Sequence, residues 1–276
     1  MSGTVSLPTF AALPPGGIVS MRLENAGDAM LAGGIATFGQ VFQQGELPAG
    51  SGLAATIAGA AAGVQIDVKS TYPDGSVKFA VVSIERPDLA AGSAVDVVLS
   101  RGAVAAAPAI DLAAALASHD FTVDIVTSGG TTHVDVLQAL TDALAAGTAS
   151  AWQQGALATQ ARVEVALQGS QRLVFDVTAF KGGGFEVEAQ FNNDRAMEAV
   201  GGRVAYTAVV TMDGQEVARQ ALDQAQYQNW HETFSSNGRD GSQGLGDPAT
   251  GWLNIQQDIA HLEATARDWG AHVHKR

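Results

Sequence analysis

The chain has no cysteine. Disulfides, zinc–thiolate centres, iron–sulfur clusters and cysteine nucleophiles are therefore excluded. Charge is also scarce, at 16% of 276 residues, against about a quarter in an average chain. What charge there is leans to one sign: 15 Lys and Arg face 28 Asp and Glu, for a net charge of -13. The basic residues are scattered, and an acidic surface repels phosphate backbones, so no nucleic-acid partner is expected. No window approaches 18 uninterrupted apolar residues, which predicts no membrane insertion. The opening "MSGTVSLPTFAALPPGG" lacks a basic n-region and a long apolar core, so it does not read as a signal peptide. Synthesis in the cytoplasm is expected, with any exit by cell lysis or a specialised route. Few charges combined with many Ala and Gly residues suit a protein that hides part of its surface in an assembly.

What is present is β-patterned. Hydrophobic residues make up 46% of the chain, enough for real cores. Residues 1–17 end in Pro14-Pro15-Gly16-Gly17 and read as an arm. From 18 to 104, runs such as Val64-Ile66-Val68 and Val95-Val97-Leu99 alternate with polar residues. This is the period of strands with one face on a core. Residues 105–150 change pattern. "AIDLAAALASHD" suggests a short helix, "FTVDIVTSGG" a strand, and "TTHVDVLQALTDALAAG" a helix. Thr132 and Asp135 are spaced like a capping box, and Gly147 is placed to stop the second helix. Alternation returns over 151–223, with Asp213-Gly214 as a hairpin turn. Residues 224–276 read as a polar, Gly-rich loop and then a helix from about 249 to 269. Asp247-Pro248 is placed to cap that helix. The expected fold is mainly β: two β-barrel or β-sandwich modules, a small α/β insert between them, and a C-terminal helix.

Candidate chemistry is sparse. Pro73-Asp74-Gly75 lies between two strand patterns, and the second, "VKFAVVSIE", is apolar on both faces. Proline presets φ and glycine supplies a positive φ, so a structural turn is expected there. Asp74→Ala should then lower stability and leave binding intact. Trp230 beside His231, at the mouth of the polar loop, is the best sugar-stacking candidate, with Asp240 as a further contact. Trp252 and Trp269 read as core residues on a helical face. Asp240 and Asp247 are the metal candidates, as oxygen ligands that suit Ca²⁺. Their spacing does not follow the calcium-loop pattern. Asp258 and His261, three apart, can share a helical face. No G-x-S-x-G, H-E-x-x-H, P-loop or dinucleotide signature occurs. No catalytic residue and no cofactor is expected.

Four features occur together in the first β region. They are a Gly39-Gln40-Val41-Phe42 start, a Gly45-Glu46-Leu47-Pro48 turn, Gln65 opening a strand, and Tyr72-Pro73-Asp74-Gly75-Ser76-Val77 entering a buried strand. This combination resembles the N-terminal β-barrel module of rhamnogalacturonan-lyase-like (YetA-like) proteins. The same module occurs in structural proteins of tailed bacteriophages and prophages. The resemblance spans about residues 18–100, and "WQQGALATQARVEV" and "VGGRVAYTAVVTMDGQEV" are similar to the second β domain of that group. In the enzyme branch catalysis belongs to a large helical domain, which has no counterpart here. The resemblance thus implies a non-enzymatic virion component, of tail, baseplate or tail fibre, assembling with other tail proteins and with copies of itself. The alternative is a carbohydrate-binding or carbohydrate-active protein that grips a host surface polysaccharide.

Overall fold

A computed structural model describes residues 9–104, 106–196, 200–236 and 253–273, the last seven by backbone alone. The fold is mainly β, with three helices among the described residues. None of these helices is long and apolar enough to cross a membrane. The chain divides into two compact units, Met1–Ala107 with Asp240–Arg276, and Pro108–Arg239.

The first unit contains β1 (Gly17–Asn25), β2 (Gly34–Val41), β3 (Gly52–Ile57), β4 (Ala60–Ala62), β5 (Val64–Thr71), β6 (Val77–Arg86) and β7 (Ala94–Gly102). β17 (Leu253–Gln257) and helix α3 (Ile259–Val273) complete it. Five strands form one sheet in the order β17-β1-β7-β3-β4, and three form another in the order β2-β6-β5. One core joins the two sheets. Val19, Met21, Leu23, Val97 and Leu99 come from the first, and Ala36, Phe38, Ala80, Val82 and Ile84 from the second. β6 is the middle strand of its sheet, which is why its sequence is apolar on both faces.

The helix expected from about 249 begins instead at Ile259, and Leu253–Gln257 is a strand antiparallel to β1. Leu253 and Ile255 alternate with Asn254 and Gln256, so Leu253 enters the core and Ile255 packs beside it. Asp258 accepts a hydrogen bond from the Ala260 N–H, 2.9 Å, which starts the helix at that point.

The second unit contains α1 (Leu112–Leu116), β8 (Phe121–Thr127), β9 (Gly130–Asp135) and α2 (Val136–Ala146). It continues with β10 (Ser150–Gln154), β11 (Ala158–Ala166), β12 (Gln171–Phe180) and β13 (Phe185–Asn193). β14 (Val204–Met212), β15 (Gln215–Gln224) and β16 (Asn229–Ser235) complete it. Its sheets run β10-β11-β12-β13-β16 and β15-β14-β8-β9. They share a core that includes Phe121, Phe175, Phe185, Phe191 and Val210. The α/β segment belongs to this unit: β8 pairs with β14, and Leu137 and Leu140 of α2 enter the same core.

Two local readings are corrected here. Residues 131–135, expected within a helix, belong to β9, so Thr132 caps nothing. The N-cap of α2 is Asp135, whose carboxylate accepts from the Gln138 N–H at 2.9 Å. The polar loop expected from 224 contains the strand β16, which pairs with β13. Gly147 ends α2 in the left-handed conformation, and Asp213-Gly214 turns the β14–β15 hairpin, as expected.

Candidate functional site

The turn at Tyr72–Ser76 is a structural corner. The Tyr72 carbonyl accepts from the Gly75 N–H at 2.9 Å, and the Ser76 carbonyl accepts from the Tyr72 N–H at 2.8 Å. Gly75 has φ +82, a value costly for any residue with a Cβ. Asp74 is spent inside the corner. Its carboxylate accepts from the Ser76 N–H at 2.9 Å, the Ser76 hydroxyl at 2.6 Å and the Gln44 amide at 3.1 Å. Ser76 is buried and its hydroxyl oxygen accepts from the Gly45 N–H, while the Tyr72 hydroxyl donates to the Phe42 carbonyl at 2.8 Å. The corner thus fastens the turn at 43–46 to β6.

The Ser76 hydrogen bonds are the main reason why Asp74 titrates below its ordinary value of 3.8. A depressed carboxylate stabilises the fold fully above its unfolded value, and that stability is lost as pH falls through the lower folded value. Asp74→Ala should therefore melt several degrees below the parent at pH 7. The gap should narrow as pH falls from 4 towards 2. Thermal scans across that range check it, and a gap that does not change with pH would contradict the role assigned to the carboxylate.

Trp230 and His231 are adjacent in sequence but on opposite faces of β16, because strand side chains alternate. Trp230 turns inward: its ring lies 4.7 Å from that of Phe191, and it packs against the core. His231 is exposed on the outer face, opposite Gln190. The two therefore do not form one sugar platform. Asp240 and Asp247 lie outside the described residues. Among the described residues no group of three or more His, Asp or Glu could hold a metal ion. Asp258 and His261 do not act together either. The His261 Nε2 sits 3.0 Å from a Glu46 carboxylate oxygen, and both side chains are largely buried.

Sequence reasoning missed the outward face of the five-stranded sheet. Residues directly opposed across antiparallel strands share a face. Phe175, Val177, Ala189 and Phe191 face the core, so the alternate positions face away. Register then sets the polar positions in rows. One row runs Arg162, Asp176, Glu188, Thr233, and the next runs Glu164, Val174, Gln190, His231. A third runs Gln160, Thr178, Glu186, Ser235. Arg162, Glu164, His231 and Thr233 are exposed, Glu188 and Gln190 half-buried, while Val174, Asp176 and Thr178 of the middle strand are buried between these neighbours.

Ion pairs order this face. Arg162 grips Asp176 through two hydrogen bonds of 2.8 and 2.6 Å, the fork geometry that guanidinium and carboxylate favour. Arg172 holds Asp194 the same way, at 2.8 and 2.9 Å, and also reaches Glu164 at 2.9 Å. The Arg172 hydrogen bonds push the Asp194 carboxyl below its ordinary range. The Gln160 amide donates to the Thr178 hydroxyl at 2.8 Å. The outcome is a ladder of amides, carboxylates, guanidiniums and hydroxyls, several of them joined by these hydrogen bonds, with adjacent strands about 4.8 Å apart. Such a surface can exchange many hydrogen bonds with a polyhydroxylated ligand. The signal was in the sequence as the polar phase of "FEVEAQ" and of "QARVEV", each a glutamate or arginine between core residues.

No curated protein matches the chain. Residues 21–106 match the family model of the PcRGLX-like N-terminal RIFT barrel domain. That stretch runs from β1 past the end of β7 and contains both the 43–46 turn and the Tyr72–Ser76 corner. The barrel of the first unit is therefore similar to the rhamnogalacturonan-lyase-like N-terminal barrel.

Proposed function

We propose that the chain is a non-catalytic polysaccharide-binding protein. Its first unit serves as a barrel scaffold, and the outward face of β11, β12, β13 and β16 holds the glycan. The observation that carries this reading is the ordered polar ladder just described. The rhamnogalacturonan-lyase-like character of the matched barrel supports a carbohydrate context. Binding fits the chemistry better than turnover. Asp176, Asp194 and Glu164 are each engaged by an arginine, and the Arg172 hydrogen bonds hold the Asp194 carboxyl below its ordinary range. A general acid needs the opposite environment. The carboxylates Glu164, Asp176, Glu186 and Glu188 outnumber Arg162 and Arg172, so a neutral polysaccharide suits the face better than a uronate polymer. No cofactor is required, and Ca²⁺ at Asp240 and Asp247 has no part in this reading.

A glycan array tests it. The parent should bind a neutral polysaccharide class. Gln190→Ala together with His231→Ala should weaken binding at least about tenfold, the loss expected from two or three hydrogen bonds. Trp230→Ala should instead lower stability, because that ring packs inward. Binding to no glycan, or unchanged binding in the double variant, would sink the proposal.

A second reading rests on the ten-residue exposed edge strand β15, a surface suited to protein–protein assembly. Here the chain is a structural component of a phage-like particle, in the tail or baseplate, made in the host cytoplasm and carried in the virion. Co-sedimentation with purified particles supports it, and recovery only as free protein counts against it.

A further inference from the structure

We propose that two copies of the chain dimerise by antiparallel pairing of β15 with β15, joining their four-stranded sheets across a two-fold axis. This goes beyond the glycan-binding reading and does not depend on it. β15 ends the order β15-β14-β8-β9, and among the described residues it pairs with β14 alone. Most of its residues are exposed. An edge strand presents a row of N–H and C=O groups that another chain can take up.

Geometry selects one register. Val210 stands opposite Ala218 and Thr211 opposite Glu216, so Val217 is a bulge and the regular stretch runs from Ala218 to Gln224. A two-fold pairing that uses all of this stretch is centred on Ala221. It places Ala218 opposite Gln224, Arg219 opposite Asp223, and Gln220 opposite Leu222. Partners are an even number of positions apart, so outward-pointing backbone groups meet outward-pointing groups.

The charges fit this register. Two-fold symmetry repeats each contact reciprocally, so Arg219 meets Asp223 twice. Both side chains lie on the same face of the sheet, two alternations apart. At present Arg219 pairs with Glu216 at 2.7 Å and Asp223 with Arg203 at 2.8 Å, all four side chains being well exposed. Exposed pairs contribute little and exchange readily. In the dimer they become two networks of alternating sign: Glu216 and Arg219 of one copy beside Asp223 and Arg203 of the other. Leu222, half-buried at the core's margin, gains cover from the opposing strand.

The other regular seven-residue edge of this unit behaves differently. β16 pairs without a bulge, but the same operation centres on Glu232 and sets Glu232 against its own copy. Like charges directly opposite are destabilising. Charged edges commonly block pairing; β15 differs because its charges are complementary to themselves. One strand pair gives a small interface, below about 1,000 Å². A dissociation constant in the micromolar to millimolar range follows.

Sedimentation velocity over about 1 μM to about 1 mM is the test. The parent should pass from monomer to dimer. Arg219→Asp and Asp223→Arg should each raise the dissociation constant at least about tenfold, and the two together should restore it. Glu232→Gln should leave it unchanged. Hydrogen exchange on the parent gives a check that needs no variant: protection of residues 218–224 should rise with concentration. A monomer throughout, single reversals without effect, a double variant that does not recover, or exchange independent of concentration would each overturn the proposal.

Discussion

Phe175→Ala will cost the second unit about 3–5 kcal/mol. Phe175 is fully buried on β12, the middle strand of the five-stranded sheet. Its ring meets that of Phe121 edge-on, with centroids 6.4 Å apart. Phe121 belongs to β8 in the opposite sheet and also packs on Phe234, 5.5 Å away. Removing the ring therefore loses its transfer free energy and leaves a void between two sheets. Neither sheet can collapse into that void without breaking its register. A loss of this size is a large share of a domain's stability. The expected readout is faster hydrogen exchange across β11, β12 and β13, with exchange in the first unit less affected. Unchanged protection over 171–180 would show that the sheets do not share the core described.

Gly52→Ala should be nearly as damaging in the first unit, at about 3 kcal/mol, the upper part of the range for overpacking. A Cβ there would overlap the Ala103 carbonyl oxygen and sit 2.8 Å from the Val104 Cα. Both are backbone atoms, so no rotamer relieves the clash. Gly102, the residue paired with Gly52, has the same problem against Leu53 and Ala54. The two glycines thus mark where β3 and β7 approach too closely for side chains, and the pairing should break from that end. A melting temperature within a degree of the parent would contradict this.

Much of the fold was legible because strong periodicity and strong turn chemistry agree locally. β6 is apolar on both faces and is central. Pro73-Asp74-Gly75 and Asp213-Gly214 turn where their φ preferences place them. The misreadings occur where two periods overlap. Trp252, Ile255, Ile259 and Leu262 satisfy a helical spacing, yet Leu253 and Ile255 also satisfy a strand spacing. The unpaired edge of β1 decides in favour of the strand, and that edge is a tertiary fact. β16 was hidden in the same way. Glu232 interrupts its apolar phase, and glycines follow, so "NWHETFS" read as loop until β13 paired with it.

The candidate site was less legible than the fold. Trp230 drew attention as an exposed aromatic, but alternation turns it towards Phe191. Arg162, Asp176, Glu188 and Thr233 lie far apart in sequence, and only register aligns them in one row. A set of residues brought together by long-range strand pairing leaves no short motif to find.

Hydrogen exchange with and without a neutral polysaccharide tests the central claim most directly. Bound glycan should slow exchange in the peptides of β11, β12, β13 and β16, and leave the Tyr72–Ser76 corner and β14–β15 unchanged. Protection appearing at the corner or on β14–β15 while the outward face of the five-stranded sheet stays unprotected would contradict the assignment.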